Sequence, residues 1–426
     1  MRRHSVWRCA RTFGVCACGG ARLYVAKKTR RAQGMKRWKS ISMLLICVLF
    51  LALGTACGGT SAEPLPPPED KPQPTGVSTL TFAENECSDY INWYGRNERN
   101  ATFRAMICYN SAAGFEVTFW GTQLTMSYIS EINVKNFLDG SCYLCVQIDG
   151  SEDYEAGFTE LPFASNQKEI TLVSGLAEGK HTIEVRRATE DMCASWEIYS
   201  LKTDGFFLAP SEKPVRKIEI YGDSISAGRG NMRAVGEKEN DNSNQENALM
   251  TYGAVAARSL NAQYNIFAVS GSCVGSYTTN AGANIIPRLY TKYAPTANAR
   301  NKWDFAAYVP DVVIIDLGTN DIIGNSDKQE GFAEKLKSEY TAFVQDLKTK
   351  YPDAAIVLCS GTFHYSRIDI QAYDALFEEI AKSFEQEERV CHLALEKSNN
   401  AHPTASENKN YGAALTEFIR SVTGWE

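Results

Sequence analysis

The segment IEIYGDSISAGRG, residues 218–230, decides how the second half of the chain is read. Its alternating apolar run stops at Gly222 and delivers an acid, Asp223, and then a hydroxyl, Ser224, to what reads as the tip of a β-strand. Counting that strand as 217–222, four further apolar runs follow at 264–271, 311–318, 354–361 and 390–395. Amphipathic helix patterns lie between and after them, near 248–260, 330–350, 368–387 and 406–422. Strand–helix alternation implies parallel strands covered by helices on both faces, with functional residues gathered at the carboxyl ends of the strands.

Several of those ends carry polar groups. Asp223-Ser224 follows the first strand, Ser270-Gly271 the second and Gly318-Thr-Asn320-Asp321 the third, while Asn399-Asn-Ala-His402-Pro403 follows the last. Strands distant in sequence can place their tips side by side, so these groups can converge. A serine needs a base to take its proton during attack, which Ser224 and His402 supply. An acyl-transfer intermediate needs donors aimed at its oxyanion, which the N–H groups of Ser224 and Gly271 and the Asn320 amide supply. Taken singly, Ser224 could cap a helix, Gly271 could be a turn glycine and Asn320 a helix cap; their order and spacing favour chemistry. Asp321 is expected to organise its own loop.

The chain holds five histidines. His181 and His392 lie within strand patterns, and His364 follows a strand end. His402 is the preferred base, because Pro403 biases it towards extended backbone and Thr404 with Glu407 has capping-box spacing for the final helix.

From 77 to 210 the pattern has period two, in short β-branched and aromatic runs separated by turn residues, which predicts an all-β sandwich of jelly-roll type. Residues 57–76 are rich in Pro, Gly and acid and read as a linker. Residues 1–56 hold 12 of the 44 Lys and Arg and no acid, leaving 32 basic against 50 acidic residues in the remainder. So acidic a body is a poor partner for nucleic acid or anionic lipid. Within the basic head, the stretch from Met35 has a charged start, a short apolar run from Met43 to Leu53 and small residues before Cys57. It reads as an export signal with Met35 as the start, and Leu53-Gly-Thr-Ala-Cys57 resembles a bacterial lipoprotein box that would lipidate Cys57, the only membrane attachment expected. Eight cysteines follow Cys57; Cys142 and Cys145 lack a second CxxC and a nearby histidine, and read as core thiols or a disulfide, not a metal site.

The set Gly-Asp-Ser224, Gly271, Gly-Thr-Asn320-Asp and His402-Pro resembles the SGNH (GDSL-type) hydrolases. With GKHTIEVRRATE (179–190), IIPRLY (285–290) and WDFAAYVPDVVIIDLGTND (303–321), the chain from Val77 resembles carbohydrate esterase family 2. The resemblance implies a jelly-roll domain (77–210) before a three-layer α/β/α domain with a five-stranded parallel sheet (214–426), and removal of O-acetyl groups from cell-wall polysaccharides or oligosaccharides. It carries the nucleophile to Ser224, the base to His402 and oxyanion donors to Gly271 and Asn320, with no metal or organic cofactor. Where most members of the wider group have an acid three residues before the histidine, this chain has Asn399, so a Ser–His dyad helped by Asn399 or a backbone carbonyl is expected. Tyr290, Tyr293 and Trp303 are candidate sugar platforms or packing aromatics. The rival readings are a glycan-binding protein with an inactive second domain, motivated by Asn399 and Arg229, and a general carboxylesterase or lipase.

Overall fold

Alternate residues of a strand face opposite sides of its sheet, and the first half of the chain uses this to close two sheets over one apolar layer. The computed structural model describes residues 71–426 apart from 83–86, 132–139, 235–236, 241, 276–283, 296–300, 326–329, 363–370, 387–388 and 396–400. The expected leader, most of the linker and Cys57 therefore lie outside the described residues. One antiparallel sheet runs in the order Asn97–Asn100, Ala105–Cys108, Glu197–Thr203, Leu124–Ser130, Ala164–Val173, with Thr79–Thr81 added to the third of these. The other runs Phe206–Leu208, Gly114–Gly121, Gly179–Arg187, Cys142–Ile148, Phe158–Leu161, with Ile91–Tyr94 paired to the second. Phe115, Val117 and Phe119 from one sheet meet Met126, Tyr128 and Ile198 from the other, around the buried Trp196.

The second half contains the five expected strands, Arg216–Gly222, Ala262–Ala268, Val312–Asp316, Ala355–Ser360 and Val390–Ala394, all parallel. Numbered along the chain, their spatial order is 2-1-3-4-5. Both faces are apolar, as a doubly covered sheet requires. Ile218, Ile220, Ile266 and Ile314 pack under the helices Tyr252–Ser259 and Ala405–Thr423. Val313, Ile315, Ile356 and Leu358 pack under Phe332–Lys350 and Gln371–Lys382. Because strands 2, 1 and 3 are neighbours, and Gly222 is level with both Ala268 and Asp316, the chain leaves all three strands at one edge.

The sandwich and the parallel sheet share buried surface. Ala112, Cys145, Tyr154 and Ala188 of the sandwich belong to the same apolar cluster as Ile218, Ala248 and Tyr252. A second junction is ionic: Arg96, wholly buried, reaches Glu219 on strand 1 at 2.5 Å. Its remaining hydrogens go to the carbonyls of Tyr290 (2.5 Å) and Lys292 (2.8 Å) and to the Tyr221 hydroxyl (2.8 Å), while Tyr351 donates to the other Glu219 oxygen at 2.7 Å. Cys142 and Cys145 are free thiols, not a disulfide, and burial pushes the Cys145 thiol up to about 12, which leaves it inert at neutral pH.

Removing one member of a buried, hydrogen-bonded ion pair strands the other charge, at a cost of about 3–5 kcal/mol. Arg96→Ala is expected to lower the unfolding free energy by that amount in denaturant titrations. The double variant Arg96→Met, Glu219→Met should recover only part of the loss, because the carbonyls of Tyr290 and Lys292 stay without their donor.

Candidate active site

The turn after strand 1 is built so that Ser224 need not cap anything. Asp223 caps the short helix Ser224–Ala227, its Oδ1 accepting from Ile225 N at 2.9 Å. Gly228, in the left-handed region at φ +94°, ends that helix after one turn. The Ser224 hydroxyl is thereby left for His402, whose Nε2 lies 2.7 Å away. His402 itself stands on a fixed loop end: Thr404 and Glu407 form the foreseen capping box, and Ala405 N donates to Asn231 O at 3.1 Å. Gly230 lies beneath this arrangement at φ +72°, where a β-carbon would meet the His402 Cβ at 3.2 Å.

The expected dyad with a neutral helper is corrected by Glu239. Its Oε1 lies 2.6 Å from His402 Nδ1, and its Oε2 accepts from His402 N at 3.0 Å. A carboxylate only accepts, so the imidazole carries its proton on Nδ1 and presents Nε2 as an acceptor to the serine. Asn399 lies outside the described residues, and the orienting role foreseen for it or for a backbone carbonyl is filled from a loop 163 positions upstream of the histidine. Partial burial by itself raises the Glu239 carboxyl; the bonds and charge of His402, together with Arg229, outweigh this and bring it to about 2. Arg229 Nε stands 3.7 Å from Glu239 Oε1, so the arginine that seemed to weaken the reading supports the new third member.

The other two strand tips meet beside Ser224. Asn320 donates to Asp223 Oδ2 at 2.9 Å and to the Ser272 carbonyl at 3.0 Å, tying tip 1 to the loop of tip 2. Asp321, expected to organise its own loop, reaches instead to the loop of tip 2, where it accepts from Val274 N (3.0 Å) and Gly275 N (3.0 Å). Gly271 sits in the loop at φ +78°, a conformation that favours glycine. Burial, with Asp316 next in influence, pushes Asp223 well above the usual carboxylate range.

Other candidates fall away. His181 bonds Asp149 and the Ala177 carbonyl, both at 2.8 Å, and His392 bonds Ser360 at 2.8 Å; His364 lies outside the described residues. Tyr290 is no sugar platform: it is buried among Tyr221, Phe305 and Phe343, with its hydroxyl on Asp346. Trp303 lies over the Arg96 guanidinium, 5.1 Å from it, and edge-on to Tyr293, so its ring serves packing too. Among the described residues no group of three or more acidic, histidine or cysteine side chains could hold a metal ion.

A serine, histidine and glutamate in line at the carboxyl edge of a 2-1-3-4-5 parallel sheet have the arrangement of a serine-hydrolase triad. More particularly, residues 220–415 match the GDSL-like Lipase/Acylhydrolase family and residues 93–211 match the Carbohydrate esterase 2 N-terminal domain, so the chain carries both. Cellulase/esterase CelE of Acetivibrio thermocellus is 33% identical over 260 residues, 60% of this chain; the match spans only 29% of that protein. An acetylxylan esterase / glucomannan deacetylase of Cellvibrio japonicus is 26% identical over 331 residues, 74% of this chain and 85% of that one. Among solved structures, a family two carbohydrate esterase from Clostridium thermocellum in complex with cellohexaose superposes with a TM-score of 0.68 at 26% identity, over 79% of this chain and all of that one.

The depressed Glu239 carboxyl has a defined pH signature. Its folded value, about 2, lies below the ordinary 4.5, so the stability it contributes is full above about 4.5 and is lost as pH falls towards 2. The stability difference between wild type and Glu239→Gln, measured by denaturant titration, should shrink as pH falls from about 4.5 towards 2.

Proposed function

We propose that this chain is an esterase that removes O-acetyl groups from plant cell-wall polysaccharides, or oligosaccharides derived from them, through an acetyl-enzyme. The observation that carries the reading is the pair of bonds, 2.7 and 2.6 Å, that links Ser224 through His402 to Glu239. Ser224 Oγ attacks the acetyl carbonyl while His402 Nε2 takes its proton, and Glu239 holds the resulting imidazolium. The oxyanion is met by the N–H groups of Ser224 and Gly271 and by Asn320, which turns one amide hydrogen from its ground-state acceptor towards the developing charge. His402 then returns the proton to the departing sugar oxygen. Water, activated by the same imidazole, releases acetate and restores the serine.

The choice of substrate leans on relatives described as acetylxylan esterases and glucomannan deacetylases. The inactive-binder alternative loses its motive, since the gap suggested by Asn399 is filled by Glu239 and Arg229 stands beside it. We further propose export of the chain, with anchoring through a lipid on Cys57.

Acetate release from acetylated xylan and from a small aryl acetate tests the reading. Ser224→Ala is expected to abolish turnover on both. Glu239→Gln should lower kcat by up to about 10⁴-fold with KM little changed, and Asn320→Ala by roughly 10²–10³-fold. Undiminished release by Ser224→Ala would overturn the assignment.

A further inference from the structure

The oxyanion loop is not held by the parallel-sheet half alone. Ser270, the residue before Gly271, gives its N–H to Glu190 Oε2 and its hydroxyl to Glu190 Oε1, both at 2.6 Å. Glu190 belongs to the sandwich half, three residues beyond the strand Gly179–Arg187, and is wholly buried. Its backbone is fixed in turn: its N–H donates to Glu246 Oε1 at 2.5 Å, and its carbonyl accepts from the buried Arg187 at 2.7 Å. Arg187 also donates to the carbonyls of Thr189 (2.6 Å) and Cys108 (3.1 Å), which shapes the whole turn.

Gly271 is thus suspended between fixed points. On one side is the bidentate Glu190–Ser270 contact; on the other, Asn320 takes the Ser272 carbonyl and Asp321 takes the N–H groups of Val274 and Gly275. Asn320 and Asp321 belong to the same half as the nucleophile, and Glu190 does not. The Gly271 residue is exposed and in a left-handed conformation, with nothing within 4 Å of where a β-carbon would be, so no side-chain packing holds it there. Its direction is set by its neighbours' hydrogen bonds.

We propose that Glu190 is a positioning residue for the reaction: it reaches from the β-sandwich to aim the Gly271 N–H at the oxyanion, so the sandwich contributes to transition-state stabilisation. A donor displaced by about 1 Å loses much of its effect, up to about 10²-fold in rate, while the ground-state ester, which carries no full charge there, is bound as before. The inference rests on the ester-hydrolase reading above.

The test uses the full chain and a small aryl acetate, with kcat, KM, thermal midpoint and the rate of Ser224 phosphonylation by a small aryl phosphonate as readouts. Glu190→Ala is expected to lower kcat and the phosphonylation rate together, by about 10- to 100-fold, with KM within about twofold. Glu190→Gln should restore most of both, since its amide can accept the Ser270 N–H and donate to the Ser270 hydroxyl. Ser270→Ala, which removes one of the two bonds and leaves Glu190 in place, should fall between, and it carries the test if Glu190→Ala does not fold. A folded Glu190→Ala with wild-type kcat, or Ser270→Ala indistinguishable from wild type, overturns the proposal. So does a loss that appears in KM alone. Absence of acetate release by the wild type would instead remove the underlying esterase reading, which keeps the two failures apart.

Discussion

A guanidinium with no access to water is affordable only where every hydrogen has a partner, and Arg96 meets that condition at the seam between two folds. Its partners come from strand 1 of the parallel sheet and from the segment after the second strand. The same contact therefore fixes the sandwich to the strand that leads into Ser224 and to the chain leading out of the Gly271 loop. Apolar burial alone is non-directional. The fork of Arg96 supplies the direction, and the edge along which the functional groups meet inherits it.

From that edge upward, the site is made of few independent parts. The 2-1-3 order of neighbouring strands brings Gly271, Ser224 and Asn320 together without any long excursion of chain. His402 and Glu239 come instead from loops beside the sheet, and they fix one another through two hydrogen bonds, one of them to the histidine backbone. The acids are sorted by surroundings. Glu239, partly open to solvent and beside cationic groups, is kept ionised, whereas Asp223 and Asp316, deep behind the serine, are driven upward by burial, Asp316 to about 7.

Features with a local signature were legible in the letters. Each of the five parallel strands was visible as an apolar run closed by a glycine or a polar tip, and the Thr404–Glu407 capping box announced itself by spacing. Ser224, Asn320 and His402 stood at strand ends, where the architecture concentrates function. Glu239 was not legible, because its neighbours Glu237 and Glu246 make it one acid among several in a loop with no period, and its partner lies far along the chain. Tyr290 misled for the opposite reason: an aromatic residue near a site has the same letter whether it faces sugar or fills a core. Glu190 lay in plain sight at the end of GKHTIEVRRATE, but its reach across to Ser270 depends on how the two halves dock, which no local pattern encodes.

The shared apolar cluster that joins Ala112, Cys145, Tyr154 and Ala188 to Ile218, Ala248 and Tyr252 limits how far the halves can be treated as separable modules. A module that stands alone needs a boundary surface that tolerates water, and this boundary is apolar and buried. Parted from its neighbour, either half would turn this apolar wall towards water, so exchanging one of them for an unrelated module would require the wall against which the hydrolase stands to be rebuilt.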